Sequence, residues 1–329
     1  MNQQENFVLN YPLFDGEHLM ENASVVIENG RIASVNETAS TDSDHFLMPG
    51  LIDAHTHINS PEQIRSMLAN GVTAACDVAA SASLIEHSKP FTIVSSAGMT
   101  MGTLNGKAYV KKAISAGAAY IKVLLMEPNL MPKTVLKSIC QTAHENHLKT
   151  AVHAVSVKAV QMAVDCGADI LIHVPLKEAF PEELAKTIAQ KGITVAPTLF
   201  MMKTFSTSHR NGYLPEHFPN ALQAVRLLHQ CGVTILAATD ANDGSFSLAV
   251  PYGPSLHQEL ELLVQTGMTP TEVLASVTGN TAKIFGNQEI GRIAVGQKAT
   301  LLLIEGRPDK NITDTKNIKQ IWIDGQPIL

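Results

Sequence analysis

Short apolar runs alternate along the middle of the chain with stretches whose apolar residues recur at three- and four-residue steps, a pattern that predicts repeated βα units. Eight runs stand out: Leu51 to His55, Val72 to Val78, Phe91 to Ser95, Ala118 to Leu125, Thr150 to His153, Asp169 to His173, Ile193 to Pro197 and Thr234 to Thr239. Helices are predicted over Lys133 to Asn146, Ser156 to Cys166, Glu182 to Lys191, Asn220 to Cys231 and Pro254 to Gln265, with Val135, Ile139 and Ala143 showing the spacing. Gly117, Gly167, Gly192 and Gly232 each follow a helical stretch and precede a run, where a left-handed helix end is wanted. The two ends of the chain differ from this middle. Ala23 to Val35 holds two β-prone runs joined by Asn29-Gly30, a strong hairpin signal, and Gly296 to Ile304 and Ile318 to Pro327 read alike, with Asp324-Gly325 as a turn.

The expected fold class is therefore α/β: a (β/α)8 TIM-like barrel over residues 49–286, with a small β-sandwich-like domain formed by both chain termini, 1–48 and 287–329. The alternation alone also fits an open doubly wound sheet. Against that, the first strand lacks a glycine-rich phosphate loop, and ligand-type side chains gather at the ends of the runs, which favours closure.

With 329 residues and 45% hydrophobic content, the chain can bury a large core. Its net charge of −6 is spread without long runs of one sign, which argues against nucleic acid or a charged membrane surface as partner. A small-molecule substrate is expected, and homo-oligomer formation stays open. Cys76, Cys140, Cys166 and Cys231 lie far apart with no C-x-x-C pair, which speaks against a disulfide framework or a zinc knuckle. Met1 to Phe7 has no basic and apolar leader, and no later run is long enough to span a bilayer, so a cytoplasmic soluble protein is expected.

The candidate chemistry begins at Met48-Pro-Gly-Leu-Ile-Asp-Ala-His-Thr-His57. In extended chain, His55 and His57 face one side, with Asp53 one step earlier, and two imidazoles on one side can grip a cation of the zinc type. Taken alone, the pair reads as well as two surface histidines in a turn. The later runs change that balance. In a closed parallel barrel all strand C-termini share one face. There the fourth run carries Lys122, the fifth ends in His153, the sixth in His173, and the eighth is followed by Asp240. Each has a plainer reading: His153 and His173 as neutral core histidines, Asp240 as a helix N-cap. Lys122, flanked by Ile121, Val123, Leu124 and Leu125, resists one, because an unpaired ammonium in a buried strand is costly. Burial lowers its pKa and favours the neutral amine, which can take up carbon dioxide as a carbamate. His209, His217 and His257 lie in or near the loops after the seventh and eighth runs, from which they could reach a substrate. Met99, Met101, Met126, Phe200, Met201, Met202, Phe205 and Tyr252 give the loops an apolar cast that reads either as pocket lining or as plain packing.

The motif Pro49 to His57, followed in order by Lys122, His153, His173 and Thr239-Asp240, resembles the amidohydrolase superfamily of metal-dependent hydrolases, in particular its imidazolonepropionase-related and prolidase-like branch. The β-rich ends are similar to the accessory domain of that family, and Leu256 to Leu260, Thr269 to Leu274 and Asn280 to Ala282 to its last helical region. The resemblance implies two Zn2+ ions per chain bridged by carbamylated Lys122, with His55, His57 and Asp240 holding one and His153 and His173 the other. It implies hydrolysis of an amide or cyclic amide C–N bond, with a dipeptide or N-acyl amino acid as substrate and Asp240 as proton shuttle between water and the leaving amine. Two departures touch the substrate: Val155 and Ile172 stand where members often carry a histidine and an acid. A single-metal deaminase or imidazolone-ring hydrolase with unmodified Lys122, a lactonase or esterase on the same site, and a noncatalytic scaffold are the alternatives.

Overall fold

The computed structural model describes residues 6–39, 43–244 and 248–328. Its first strands are β1 (Phe7–Phe14), β2 (Leu19–Glu28), β3 (Arg31–Glu37) and β4 (His45–Pro49). Then follow β5 (Leu51–Thr56), α1 (Pro61–Ala69), β6 (Val72–Asp77), α2 (Ala82–His87), β7 (Thr92–Ser95), β8 (Met99–Thr100), α3 (Gly106–Ser115) and β9 (Ile121–Leu124). The chain continues through α4 (Lys133–Glu145), β10 (Thr150–His153), α5 (Val157–Cys166), β11 (Ile170–Ile172), α6 (Glu182–Gln190), β12 (Thr194–Ala196) and α7 (Leu199–Thr207). Four helices, α8 (Phe218–Gln230), α9 (Pro254–Gln265), α10 (Pro270–Ser276) and α11 (Gly279–Ile284), precede β13 (Leu301–Glu305), β14 (Ile318–Ile323) and β15 (Gln326–Pro327).

Strands from both ends of the chain form one seven-stranded sheet in the order β15-β14-β13-β4-β1-β2-β3. The Asn29-Gly30 turn between β2 and β3 has φ of 50° and 76°, both left-handed, as a two-residue hairpin of matching twist requires. Leu13, Val25, Ile27, Leu47 and Leu301 pack into a core of its own. β4 runs parallel to β1 and antiparallel to β13, and only Gly50 separates it from β5. A Cβ at Gly50 would lie 2.2 Å from Thr73 Oγ1, so no side chain fits where the chain passes from this sheet into the next.

The parallel strands fall into two open sheets, β5-β6-β7 and β12-β11-β10-β9-β8. Every residue of β5 and β6 is buried, as expected of parallel strands covered on both faces. The run expected as the eighth strand, Thr234 to Thr239, forms no ladder. It is tied by single bridges, Val195↔Ile235 and Thr56↔Ala241, and by bonds from Leu236 N to Val195 O and from Ala54 N to Ala237 O. It therefore lies between β12 and β5 without a regular register, because its last residues are claimed by a side chain: Thr239 N binds the Asp53 carboxylate. On the other flank, Ala119 N donates to Ser95 O, joining the approach to β9 with β7.

The five expected helices lie within two residues of their predicted ends. Ser156 caps α5 by accepting from Ala159 N, and Gly167 closes it at φ 86°. Two elements arise where loops were expected: β8, paired with β9, and α7, whose Leu199, Met201 and Met202 are buried. Among the described residues, no helix is long and apolar enough to cross a membrane.

Candidate metal centre

All six residues expected at the site line one cavity of about 380 Å³, a volume suited to a small ligand. His55 comes from the end of β5, Lys122 from β9 and His153 from the last residue of β10. His57, His173 and Asp240 each sit just past an apolar run. His173 and Asp240 have φ of 74° and 60°, a left-handed conformation uncommon outside glycine, and the turn it produces brings each side chain off its strand line into the cavity. Main-chain bonds hold the turns in place: His173 N to Ala196 O at 2.8 Å, Asp240 N to His55 O and His57 N to Ala241 O, both at 2.9 Å.

Asp240 Oδ1 is the focus. It lies 3.0 Å from His57 Nε2 and 3.3 Å from His55 Nε2, yet no N–H meets it in hydrogen-bond geometry, and it is buried. His153 Nε2 is likewise buried without a hydrogen bond. Ligand atoms of His55, His173 and Asp240 all fall within 4.8 Å of one another, and the His153 and His173 rings are 4.5 Å apart in edge contact. Lys122 Nζ is 3.3 Å from His55 Nε2. Buried donor atoms that converge, with Asp240 Oδ1 and His153 Nε2 lacking a hydrogen-bond partner, are what a divalent cation satisfies, and the nitrogen and carboxylate donors suit zinc or its neighbours.

Electrostatics disfavour the protonated form of the three most buried histidines of the cluster. Burial, reinforced by the nearby Lys122 amine, pushes His55 and His153 down to about 3, and burial with the adjacent His153 holds His173 well below its usual value. Burial also lowers Lys122 to about 7, with Asp240 opposing. For Asp240, burial favours the acid, but the His55 and His57 nitrogens outweigh it and hold the carboxyl well below the ordinary range. Three imidazoles and one carboxylate thus offer lone pairs near neutral pH, and Lys122 offers one in its neutral fraction.

Residues beyond the expected six set this geometry. The Thr198 hydroxyl donates to Pro197 O at 2.8 Å, so its oxygen accepts at His173 Nδ1, 2.7 Å away. That places the proton on Nδ1 and leaves Nε2 free for the cluster. Asp77, at the end of β6, accepts from Thr56 Oγ1 at 3.1 Å and from the amide of Ile58, so it brackets His57 from both sides in sequence. Tyr109 donates to Lys122 O at 2.8 Å. Asp77 carries a readable signal, an acid at the end of an apolar run, whereas Thr198 carries none.

Several expectations change. Asp53 does not share a face with the two histidines: the β5 and β6 pairing slips between Asp53 and Thr56, and its carboxylate turns to Thr239. Asp240 caps no helix; its carbonyl accepts from Asn242 Nδ2. His257 is buried on α9, bonded to Thr315 Oγ1 and Asn70 O, away from the cavity. His209 is exposed, and His217 Nδ1 accepts from Leu214 N; neither lines the cavity. Met99, Met101, Met126, Met201, Met202 and Phe205 do line it, joined by Tyr213, while Phe200 does not and Tyr252 instead donates to His57 O.

A model of the amidohydrolase family matches residues 46–328. Ochratoxinase from Aspergillus niger is 26% identical over 242 residues, covering 66% of this chain and 48% of that protein. Imidazolonepropionase from Idiomarina loihiensis is 30% identical over 200 residues, covering 57% of this chain and 43% of that protein. These alignments span about half the length of those relatives or less. A solved Xaa-Pro dipeptidase with methionine bound in its active site superimposes at a TM-score of 0.83 with 18% identity, covering 98% of this chain and 99% of that one. The shared fold is TIM-barrel-like with an extra domain.

Proposed function

From the membership of this chain in the amidohydrolase family, we propose that it is a metal-dependent hydrolase cleaving a C–N bond, in an amide or cyclic amide, of a small molecule. The observation that carries the proposal is Asp240 Oδ1, buried and without a hydrogen bond among the ring nitrogens of His55 and His57. Eight segments are taken as one closed parallel ring, supported by the bonds that tie residues 235–237 to β12 and β5. Residues 49–286 would form this barrel, and 1–48 with 287–329 the small β domain.

His55, His57 and Asp240 would hold one divalent cation, zinc being the natural choice, and His153 and His173 a second. Lys122, lowered to about 7 by burial, has a neutral fraction near neutral pH that could add carbon dioxide, releasing a proton and becoming a carbamate able to bridge. When bound, such cations would supply Lewis acidity to the scissile carbonyl and to a water molecule. Asp240 would accept a proton from the attacking water and return it to the departing nitrogen, so one carboxylate would act as base and then as acid. The methionine-rich wall takes an apolar substituent next to the scissile bond, its unbranched side chains adapting to shape. Dipeptides and N-acyl amino acids with apolar side chains are the substrates to try first, with lactones and esters as mechanistic relatives.

The tight three-residue grouping of His55, His173 and Asp240 favours a second reading, one cation with unmodified Lys122 bonded to His55, as in a deaminase or imidazolone-ring hydrolase. Metal analysis joined to an activity screen over dipeptides, N-acyl amino acids and lactones tests both. Two equivalents per chain with activity that chelation abolishes and metal restores supports the bridged site. One equivalent with full activity supports the second reading, and full activity after exhaustive chelation refutes both.

A further inference from the structure

Thr198 stands at the start of α7, where a threonine hydroxyl ordinarily accepts from the first helical amides. Here it does not, because its oxygen is turned to His173 Nδ1 and its hydrogen to Pro197 O. The amides it leaves behind are met from a distant helix. Glu259 Oε1 accepts from Leu199 N at 2.9 Å and Oε2 from Phe200 N at 2.6 Å. Glu259 is fully buried in α9 and lies outside the cavity lining. Its own helix is anchored two residues earlier, where His257 bonds Thr315 Oγ1 and Asn70 O.

We infer that Glu259 is a positioning residue of the metal centre: it supplies the helix cap that Thr198 withholds, which frees the Thr198 hydroxyl to hold His173 as the Nδ1–H tautomer. Two backbone donors need two acceptors, and no other acceptor meets Leu199 N and Phe200 N among the described contacts. Without Glu259, the Phe200 amide needs another acceptor, and the hydroxyl of a threonine at the N-cap is the ordinary one; capping its own helix would draw Thr198 from His173. Thr198 has a left-handed φ of 51°, rare for a β-branched residue, so its backbone must be held by its surroundings. The same carboxyl places α7, and with it Met201, Met202 and Phe205 of the cavity wall. One side chain therefore sets both the aim of a ligand and the shape of the pocket.

This role rests on reading the six residues as a metal site, and the test separates the two claims. Glu259→Gln keeps the shape but offers one acceptor in place of two. In the metal-free protein, imidazole nitrogen NMR should show His173 shifting from one tautomer to a mixture, and titration with Co2+ should show affinity weakened about ten-fold or more, in the range of other ligand-orienting partners. Glu259→Asp should restore part of both, and Glu259→Gln added to Thr198→Val should weaken affinity no further than Thr198→Val alone. A wild-type His173 tautomer and Co2+ affinity in Glu259→Gln, or full additivity in the double variant, overturns the role of Glu259. If Glu259→Gln does not fold, Glu259→Asp is read by the same criteria. Wild-type protein that binds no Co2+ overturns the metal site itself.

Discussion

Asp53 holds Thr239 twice, its Oδ1 accepting from the Thr239 amide at 3.0 Å and its Oδ2 from the Thr239 hydroxyl at 2.6 Å. The same Oδ1 also accepts from His55 N at 3.2 Å. A single buried carboxylate thus clasps the backbone on either side of the cluster, next to His55 and next to Asp240. Asp53→Ala leaves three buried donors unmet and should cost about 2 kcal/mol or more of stability, measured by urea denaturation. Metal affinity should fall with it, and an unchanged denaturation midpoint would remove Asp53 from this bracing role.

Asp240 is assigned proton transfer as well as ligation. Asp240→Asn keeps an oxygen donor but no base, so it should retain much of the metal while kcat falls by about 10²–10⁴. Metal analysis alongside steady-state kinetics checks this, and an unaltered kcat would exclude the shuttle.

Lys122→Ala removes the only lysine lining the cavity among the described residues. If the proposed bridge exists, the second metal equivalent should be lost, and short carboxylic acids should restore part of the activity by filling the space of the proposed carbamate. Normal metal content in this variant would show that nothing bridges at Lys122.

His257 gives a pH signature remote from the cavity. Burial lowers it to about 4 from the ordinary 6.5. Because the folded value is depressed, its contribution to stability is present above 6.5 and is lost as pH falls toward 4, at up to about 1.4 kcal/mol per pH unit. Wild type should therefore lose stability relative to His257→Gln between pH 6.5 and 4, followed by chemical denaturation at pH 7.5, 6 and 5. Parallel curves would show that His257 is not held neutral in the fold.

Much of the cavity's chemistry could be read from the chain because polar residues interrupt apolar runs: His153 after Ala151-Val152, His173 after Ile170-Leu-Ile, Lys122 between Ile121 and Val123. Their convergence, however, required an assumption about how the runs close. What escaped comes from backbone geometry rather than residue type. Thr198 matters through a left-handed turn, and Asp53, visible in the motif, is turned off the face of the two histidines by a slip in strand pairing that no alternation rule anticipates. Glu259 did leave a trace, since it occupies the apolar stripe of Leu256, Leu260 and Leu263, where a charged residue has no ordinary reason to be. The Thr234 to Thr239 run was visible as an apolar segment, but its broken pairing depends on Asp53, nearly two hundred residues away.

β4 leads through Gly50 straight into the strand that carries His55, and its neighbour β13 begins only at Leu301. During synthesis the ribosome emits His55 and His57 long before the segment that pairs with β4 in the seven-stranded sheet. Contacts of such sequence separation form late and slowly. The nascent chain must therefore keep this edge of β4 unpaired until Leu301 to Glu305 has emerged, and translation halted before Leu301 would yield products prone to chaperone capture and proteolysis.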